Sequence, residues 1–284
     1  MATEAKIILD SITERGHRLI TMEVTFWRAV LAEFNTHRVL SRNSASSRAI
    51  PSVKILARVQ DEPFLPLYWG ANQSGMVAQE ELPPEKIEIC KAIWLEARDD
   101  AMRHAKRLMD LGLHKQTANR LLEPFMHHTV IVTATEWDNF FALRAHPEAQ
   151  PEIRVAAEAM LQAYKASTPR LLVQGQWHLP LVTGVDEERL REEGFGTEEL
   201  VQISAGRCAR VSYLTHHGVR DPQADLALCN DRLAANGHMS PLEHPATPAM
   251  DDRFYGNFKG WLQYRKLIPN EDNFARVLAS RASA

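Results

Sequence analysis

The sequence predicts an α+β fold in which a mixed or antiparallel sheet is flanked by helices. Three observations support this prediction. Apolar and polar residues alternate over residues 19–26, which is typical of a strand. Residues 128–135 are rich in β-branched side chains, which favour strands. Residues 84–111 repeat apolar side chains at helical spacing behind Pro84, a suitable first-turn proline.

The first third of the chain adds two strands and one helix. Residues 6–12 read as a short, mostly buried strand, and the alternation over 19–26 indicates a half-buried one. An apolar stripe over residues 26–34 then predicts a helix. The small polar residues of 41–48 favour a loop. Residues 60–84 read as a long irregular connection, and long loops are often functional.

Beyond the long helix, the predicted elements alternate in type. Short and longer helices are expected at 137–144 and 150–167. Residues 175–203 contain Gly, Pro and acidic residues, and we expect a linker there with a small helix. Residues 207–214 read as a strand.

Two further helices are expected near the C-terminal end of the sequence. The first has Asp221 as N-cap, Pro222 as its first residue and Gly237 just past its end. The second spans about 257–266.

The composition is that of an ordinary globular protein. The 284 residues are 45% apolar and 24% charged, which excludes disorder and collagen-like structure. The net charge of -3 gives no general attraction to nucleic acid or to an anionic membrane, so an anion site needs a local arginine cluster. Neither a signal-peptide core nor a membrane-length apolar run is present. We therefore expect a soluble, cytoplasmic protein that binds no nucleic acid and no membrane.

Residues 33–48 form the most informative polar segment. After Glu33 it holds three arginines, one histidine, two asparagines and four serines, with no further acid. Arginine matches phosphate oxygens bidentately, and serine hydroxyls supply further donors. We interpret the segment as an anion or nucleotide site, although a solvated, turn-rich surface loop is the alternative.

The remaining polar residues give weaker signals. Arg144 ends a short apolar helix and, taken alone, reads as an arginine whose stem packs on the core. His238, Glu243 and His244 do not have a zinc-site spacing, and Pro241 breaks any helix between them.

The sequence predicts no metal site and no activated cysteine. His127-His128 and His216-His217 are adjacent pairs whose members should point in different directions, which favours structural roles. Cys90, Cys208 and Cys229 form no disulfide framework and no CxxC pair, as expected in a reducing compartment. The chain also contains no P-loop, GxGxxG or GxSxG motif.

Three segments together resemble the flavin-dependent thymidylate synthase family. That family's signature is Arg-His-Arg, a spacer, and Ser-x-Asn-Glu-x-Ser-x-Arg. Residues 36–48 match it except at Thr36, which replaces the first arginine, and Ser44, which replaces the glutamate. Downstream, Arg120 with Pro124 matches the family's Arg with Pro four residues later, and residues 143–154 match its Leu-Arg and Ala-Gln-x-Glu-Ile-Arg.

The third segment indicates a rearranged, phage-type member. Residues 237–244 match the family's Gly-His-x-Ser-Pro-x-Glu-His block, and residues 209–213 look like its N-terminal strand. In ordinary members these precede the arginine signature, whereas here they follow it, so the chain reads as permuted or as duplicated and diverged. Residues 1–175 would be the core that carries the signature, and residues 176–284 would complete the same fold.

The resemblance implies the reductive methylation of dUMP to dTMP. Methylenetetrahydrofolate would supply the carbon, FAD would relay hydride and NADPH would supply reducing equivalents, without a cysteine nucleophile. It also implies a homotetramer with active sites between subunits. The implied site residues form three groups. The catalytic group is Ser46, Arg48 and Arg144. The nucleotide-binding group is Glu33, Ser46, Ser47, Arg48, Arg120 and Arg144. The cofactor group is His37, Arg38, Asn43, Asn139, His238 and His244.

Three alternatives remain open. A related one-carbon transfer, such as hydroxymethylation of a pyrimidine deoxynucleotide, would use the same residues. A flavin- or nucleotide-binding homologue without catalysis would keep the site but not the turnover. A metal hydrolase built on the histidines would bind zinc and no flavin.

Overall fold

A five-stranded mixed sheet lies at the centre of the structure. The computed structural model describes residues 3–218, 220–269, 271–273 and 275. The strands in spatial order are β3, β4, β2, β1 and β5; β1 and β5 are parallel, and the other neighbours are antiparallel. This arrangement confirms the predicted α+β class with a mixed sheet. The strand bounds are β1 Glu4–Thr13, β2 Arg18–Trp27, β3 Ser41–Ser44, β4 His127–Ala134 and β5 Arg170–Leu172.

Helices surround this sheet, and a small second sheet lies near the C-terminal end. The helices are α1 Leu31–Asn35, α2 Ser52–Asp61, α3 Pro84–Asp110, α4 Lys115–Ala118, α5 Asp138–Arg144, α6 Pro151–Ala166, α7 Gly184–Glu192, α8 Thr197–Ala209 and α9 Pro222–Ala227. The second sheet has the order β6, β9, β7, β8. Its strands are β6 Ala246–Pro248, β7 Phe254–Tyr255, β8 Phe258–Lys259 and β9 Trp261–Gln263.

Tighter and wider helical turns connect these elements. A π-helical segment, Leu228–Ala234, continues α9. The 3₁₀ turns are Arg28–Val30, Asn119–Phe125, Arg210–Tyr213, Ser240–Glu243 and Tyr264–Leu267. None of the helices in the described part of the chain is long and apolar enough to cross a membrane.

Strand β2 is buried on both faces, whereas the sequence predicted a half-buried strand. One face packs with β4 against α5 and α6 in the main apolar core. The opposite face carries Leu19 and Thr21, which are fully buried, and His178 from the C-terminal part hydrogen-bonds to Thr21. The polar residues that alternate along β2 therefore lie on a face that is buried and hydrogen-bonded, not on one exposed to solvent.

Several elements confirm the sequence predictions. The strands expected at 6–12 and 128–135 and the helices expected at 84–111, 137–144 and 150–167 are present. The helix expected from Asp221 is also present. The Asp221 carboxylate accepts hydrogen bonds from the backbone N–H groups of Gln223 and Ala224, and Gly237 has a left-handed φ of 70°.

Four local predictions within residues 26–214 are wrong. Residues 41–44 form edge strand β3 instead of a loop, because pairing with β4 outweighs the turn propensity of serine and asparagine. Residues 26 and 27 remain in β2, so the following helical turn starts at Arg28. Much of the linker expected at 175–203 is helical in α7 and α8. Residues 207–214, with the family-like strand at 209–213, instead continue α8 and a 3₁₀ turn. Buried Arg207 pairs with Asp186 and Asp225 there, which ties the segment to α7 and α9 as a helix.

The helix expected at 257–266 is instead β8, β9 and a 3₁₀ turn. Gly256 and Gly260 adopt left-handed φ values of 74° and 69°. Such conformations cannot be part of a right-handed helix, and glycine adopts them without steric cost. The helical spacing of the aromatic residues therefore predicted a helix that does not form.

The C-terminal part folds back onto β3. Ser240 Oγ donates to Asn43 Oδ1 at 3.3 Å, and Asn43 Nδ2 donates to the carbonyl of Cys208 at 2.7 Å. The carboxylate of Glu243 forms an ion pair with Arg265 at 2.6 Å. The division of the chain at residues 175 and 176 stays a prediction.

Candidate functional site

An open cleft lies where the segment after β3 meets the C-terminal part. Its volume is about 1110 Å³, above the roughly 300–1,000 Å³ usual for a small-molecule pocket. The cleft therefore has room for more than one ligand. The predicted site residues that line it are Asn43, Ser46, Ser47, Arg48, Arg120 and His238.

Among the residues that the structure describes, four arginines and no carboxylate line the cleft. Arg48 and Arg120 were expected there, whereas Arg28 and Arg232 were not. Arg28 follows β2 directly, and Arg232 lies in the π-helical segment, a type of turn found often at functional sites. This lining gives the cleft a positive potential despite the protein's net negative charge, so it can concentrate an anion.

The cleft arginines differ in whether they have partners. The guanidinium groups of Arg48 and Arg232 are exposed and make no hydrogen bond or ion pair within the described ranges. Arg28 and Arg120 instead form ion pairs with one carboxylate, that of Glu123, at 3.0 and 2.7 Å. The two unpaired guanidinium groups are therefore the ones free to bind an anionic ligand.

Glu123 is an organising residue that the sequence reading missed. The same Oε1 atom also accepts a hydrogen bond from Ser47 Oγ, so one carboxylate holds three cleft residues. The only sequence signal is the spacing of Arg120 and Glu123, three residues apart in a helical turn, which places their side chains together.

His128 presents a buried neutral ring to the cleft wall. Arg28 Nη1 lies 3.2 Å from His128 Nδ1, and because a guanidinium only donates, Nδ1 accepts and the proton resides on Nε2. Burial, aided by the charge of Arg28, lowers the pKa of His128 to about 3. Its Nε2 has no partner among the residues described.

A second group of predicted residues lies apart from the cleft lining. Arg144 Nε donates to His37 Nε2 at 3.0 Å, and its Nη2 contacts Thr36 Oγ1 at 3.2 Å. Burial, followed by the charges of Arg144 and Arg42, lowers the pKa of His37. Within one chain, Arg48 thus lines the cleft whereas Arg144 is not among the residues that line it.

The other expected residues flank this second group or are buried. Arg38 and Asn139 are exposed, and Arg38 has no side-chain partner in the described ranges. Glu33 is half-buried with Oε2 unpartnered. His244 is fully buried and hydrogen-bonds through Nδ1 to Thr133 Oγ1 at 2.8 Å.

His244 belongs to a buried chain of hydrogen bonds that crosses the sheet. Thr133 Oγ1 continues to Thr21 Oγ1 at 2.7 Å, and Thr21 to His178 Nε2 at 2.8 Å. Burial lowers the pKa of both His178 and His244 to about 3. Both rings are therefore neutral and tie the C-terminal part to the sheet.

The pair His216-His217 contradicts the expectation that its members point apart. Both Nε2 atoms contact the same atom, Glu23 Oε2, at 3.0 and 2.5 Å. A tight turn directs both rings to one side, where a regular helix or strand would separate them.

Comparison with known proteins identifies one family. The family described as thymidylate synthase complementing protein matches residues 11–170, more than half of the chain. No curated protein matches the sequence.

Solved structures give more distant similarities. A UMP/dUMP methylase, PolB from Streptomyces cacaoi bound with 5-Br UMP, is 16% identical with a TM-score of 0.47, over 57% of this chain and 88% of that one. The structure of PolB bound with 5-Br dUMP is 19% identical with a TM-score of 0.41, over 52% of this chain and 67% of that one.

Proposed function

The chain belongs to the thymidylate synthase complementing protein family, and on this premise we propose that it methylates dUMP to dTMP in a flavin-dependent reaction. Methylenetetrahydrofolate is the carbon donor and NADPH the reductant. The observation that carries the proposal is the cleft, which Ser46, Ser47 and Arg48 of the family signature line together with further arginines, and with no carboxylate among the described lining residues.

The nucleotide phosphate binds at the outer, exposed arginines. Arg48 has no partner within the described part of the chain, so it loses no ion pair there, and half-buried Ser46 lines the same cleft. Arg120 already pairs with Glu123, but an exposed ion pair is worth only about 0–1 kcal/mol and exchanges readily for a phosphate. The base then lies deeper, against the wall that contains Arg28 and His128.

The Arg144 group acts on the cleft of a neighbouring subunit in a homotetramer. Arg144, His37 and Arg38 do not line the cleft of their own chain, yet Arg38 is exposed and has no partner in the described ranges. Symmetric assembly can bring residues of two subunits together at one interface. In this arrangement Arg144 reaches the uracil carbonyls or the phosphate.

The residues present fit an anionic cofactor such as FAD. Arg38 offers an unpaired guanidinium, and Asn43 and His238 line a cleft large enough for a second ligand. His37 accepts a hydrogen bond from Arg144, and Asn139 lies exposed on the same helix as Arg144. His244 has no solvent access, so a flavin contact by its ring requires movement of the surrounding block. When bound, FAD supplies the hydride transfer that no side chain can perform.

The protein's own contribution is binding and polarisation. An arginine directed at a uracil carbonyl stabilises negative charge that develops on that oxygen. The buried thiols do not compete for a nucleophilic role, since burial raises the pKa of Cys229 to about 12 and that of Cys208 further.

A related one-carbon transfer, such as hydroxymethylation, is the second candidate. Ser44 lines the cleft where the family signature has a glutamate. A hydroxyl in place of a carboxylate changes the charge beside the base and can change the fate of the transferred carbon. A binding protein without turnover remains the third outcome.

Two measurements test the proposal together. The absorbance spectrum of FAD titrated with the purified protein reports flavin binding, and tritium release from 5-tritiated dUMP reports turnover. We expect both signals, with tritium release dependent on methylenetetrahydrofolate and NADPH. Flavin binding without tritium release would support the alternative of a binding protein without turnover. The absence of both signals from folded protein would refute the proposal.

A further inference from the structure

One cluster of metal-type ligands lies outside the cleft lining. Glu23 extends from β2, and the turn after Arg210–Tyr213 brings His216 and His217 to it. The Glu23 oxygen and the two imidazole nitrogens all lie within 4.8 Å of one another. His216 is only 3% exposed, and the two rings are 4.3 Å apart.

Hydrogen bonding alone satisfies this cluster poorly. Two imidazole donors share one carboxylate oxygen, although a carboxylate has two oxygens and about four acceptor directions. His216 Nδ1 is buried without a partner in the described ranges. A half-buried carboxylate with two convergent imidazoles is instead a donor set that zinc and neighbouring divalent metals prefer.

We propose that Glu23, His216 and His217 bind a divalent transition-metal ion of the zinc type, with water as the fourth ligand. The ligands are Nε2 of each histidine and Oε2 of the glutamate. Zinc lies about 2.0–2.2 Å from such atoms, so tetrahedral ligands are roughly 3.3 Å apart. The His216–Glu23 separation of 3.0 Å needs to open by a few tenths of an ångström. His217 must move more, and its side chain is 55% exposed on a turn.

The charges around the site permit a dication. With neutral imidazoles, the three ligands carry one negative charge. The cation facing the site is Lys6, which lies opposite Glu23 in the β1–β2 register but is drawn away to Glu4 at 3.0 Å. A bound dication would be attracted by this net negative charge. It would also replace the two hydrogen bonds to Glu23 Oε2 with three metal–ligand bonds.

The site would brace one wall of the cleft. Ser212 and Tyr213 line the cleft just before the turn, and the Ser46 N–H donates to the Ser212 carbonyl at 3.0 Å. Leu214, between them and the histidines, has a left-handed φ of 55°, which is unfavourable for a residue other than glycine. A metal bound at Glu23 fastens this turn to β2, a structural role that does not depend on the proposed methylation.

Metal titration of the full chain tests the site. Tag-free protein freed of metal by chelator is titrated with Zn²⁺ by calorimetry and with Co²⁺ by visible absorbance. We expect one equivalent of each and the visible band of tetrahedral Co²⁺. His217→Ala and Glu23→Gln should lose at least about tenfold in Zn²⁺ affinity, the lower end of measured metal-site losses. His104→Ala, which removes an exposed histidine on α3, should bind as the wild type does.

Two results would overturn the site. One is the absence of stoichiometric Zn²⁺ binding by folded wild-type protein. The other is equal affinity in the wild type, His217→Ala and His104→Ala, which would mean adventitious surface binding. Because the His217 side chain is exposed, His217→Ala decides the question even if Glu23→Gln fails to fold.

Discussion

Arg48 is the cleft residue on which nucleotide affinity should depend most. Its guanidinium is exposed and has no partner in the described part of the chain, so it gives up no ion pair when a phosphate binds. We expect Arg48→Ala to weaken dUMP binding by about 1.5–3 kcal/mol, or roughly 10–150-fold, the range for a hydrogen bond to a charged group. Isothermal titration calorimetry measures the loss. Arg103→Ala, on exposed α3, is the matched control. Equal dUMP affinities of the two variants would show that the phosphate does not bind at Arg48.

Glu123 should matter for stability as well as for the site. Arg28 Nη2 is 3.0 Å from its carboxylate, and both side chains are largely buried, at 16% and 20% exposure. Glu123→Gln keeps the shape and removes the charge, so Arg28 loses its counter-ion. We expect the free energy of unfolding to fall by about 1–3 kcal/mol, measured by urea denaturation. An unchanged midpoint would show that the three contacts to Oε1 are not energetically important.

Among the secondary-structure elements, the turn between β8 and β9 depends on Gly260. Gly260 has a φ of 69°, and a Cβ there would lie 2.2 Å from His17 Cδ2. Gly16 has a φ of 85° with open space around a Cβ. Gly16→Ala should therefore cost about 1–2 kcal/mol from backbone strain alone, and Gly260→Ala clearly more. Thermal or urea unfolding of both variants makes the comparison, and equal losses would argue against the close contact with His17.

The elements that the sequence predicted correctly are those with strong local signals. Helix α3 has its first-turn proline and strand β4 its β-branched run, and both lie where expected. Strand β3 could not be predicted from Ser41–Ser44, because only pairing with β4 makes it a strand. The prediction for residues 207–214 was also wrong, because a short segment of mixed apolar and polar residues does not by itself distinguish a helix from a strand.

The same limit applies to the site. The arginine and serine residues of 46–48 were recognisable because their types and spacing are local properties. Arg232 and Glu123 could not be recognised from the sequence. Arg232 reaches the cleft through a π-helical turn, and Glu123 acts by pairing with Arg28 and Arg120. The convergence of His216 and His217 on Glu23 joins positions nearly two hundred residues apart, which no local pattern contains.

Over the whole molecule, the buried hydrogen-bond chain from His178 to His244 joins the C-terminal part to the sheet. The pKa of each histidine is about 3 in the folded protein and near 6.5 in the unfolded chain. The unfolded state therefore binds more protons between these values, so stability is complete above pH 6.5 and is lost as the pH falls toward 3. Each ring contributes up to ~1.4 kcal/mol per pH unit.

A substitution isolates this contribution from that of acidic groups. His244→Asn keeps an amide near the position of Nδ1 and does not titrate. We expect the variant to show a shallower fall of unfolding free energy between pH 6.5 and pH 4 than the wild type, measured by urea denaturation at several pH values. His104→Asn, on exposed α3, should keep the wild-type slope. Identical slopes in all three proteins would mean that His244 is not held neutral by burial.

The proposed conversion of dUMP to dTMP in the cleft can be tested by mass spectrometry of the nucleotide recovered after incubation of the full chain with dUMP, FAD, methylenetetrahydrofolate and NADPH. We expect the nucleotide to gain a methyl group at carbon 5, and Arg48→Ala to reduce the yield greatly. Recovery of a hydroxymethyl nucleotide would establish the second candidate instead, and unchanged dUMP from folded, flavin-loaded protein would contradict the proposed activity.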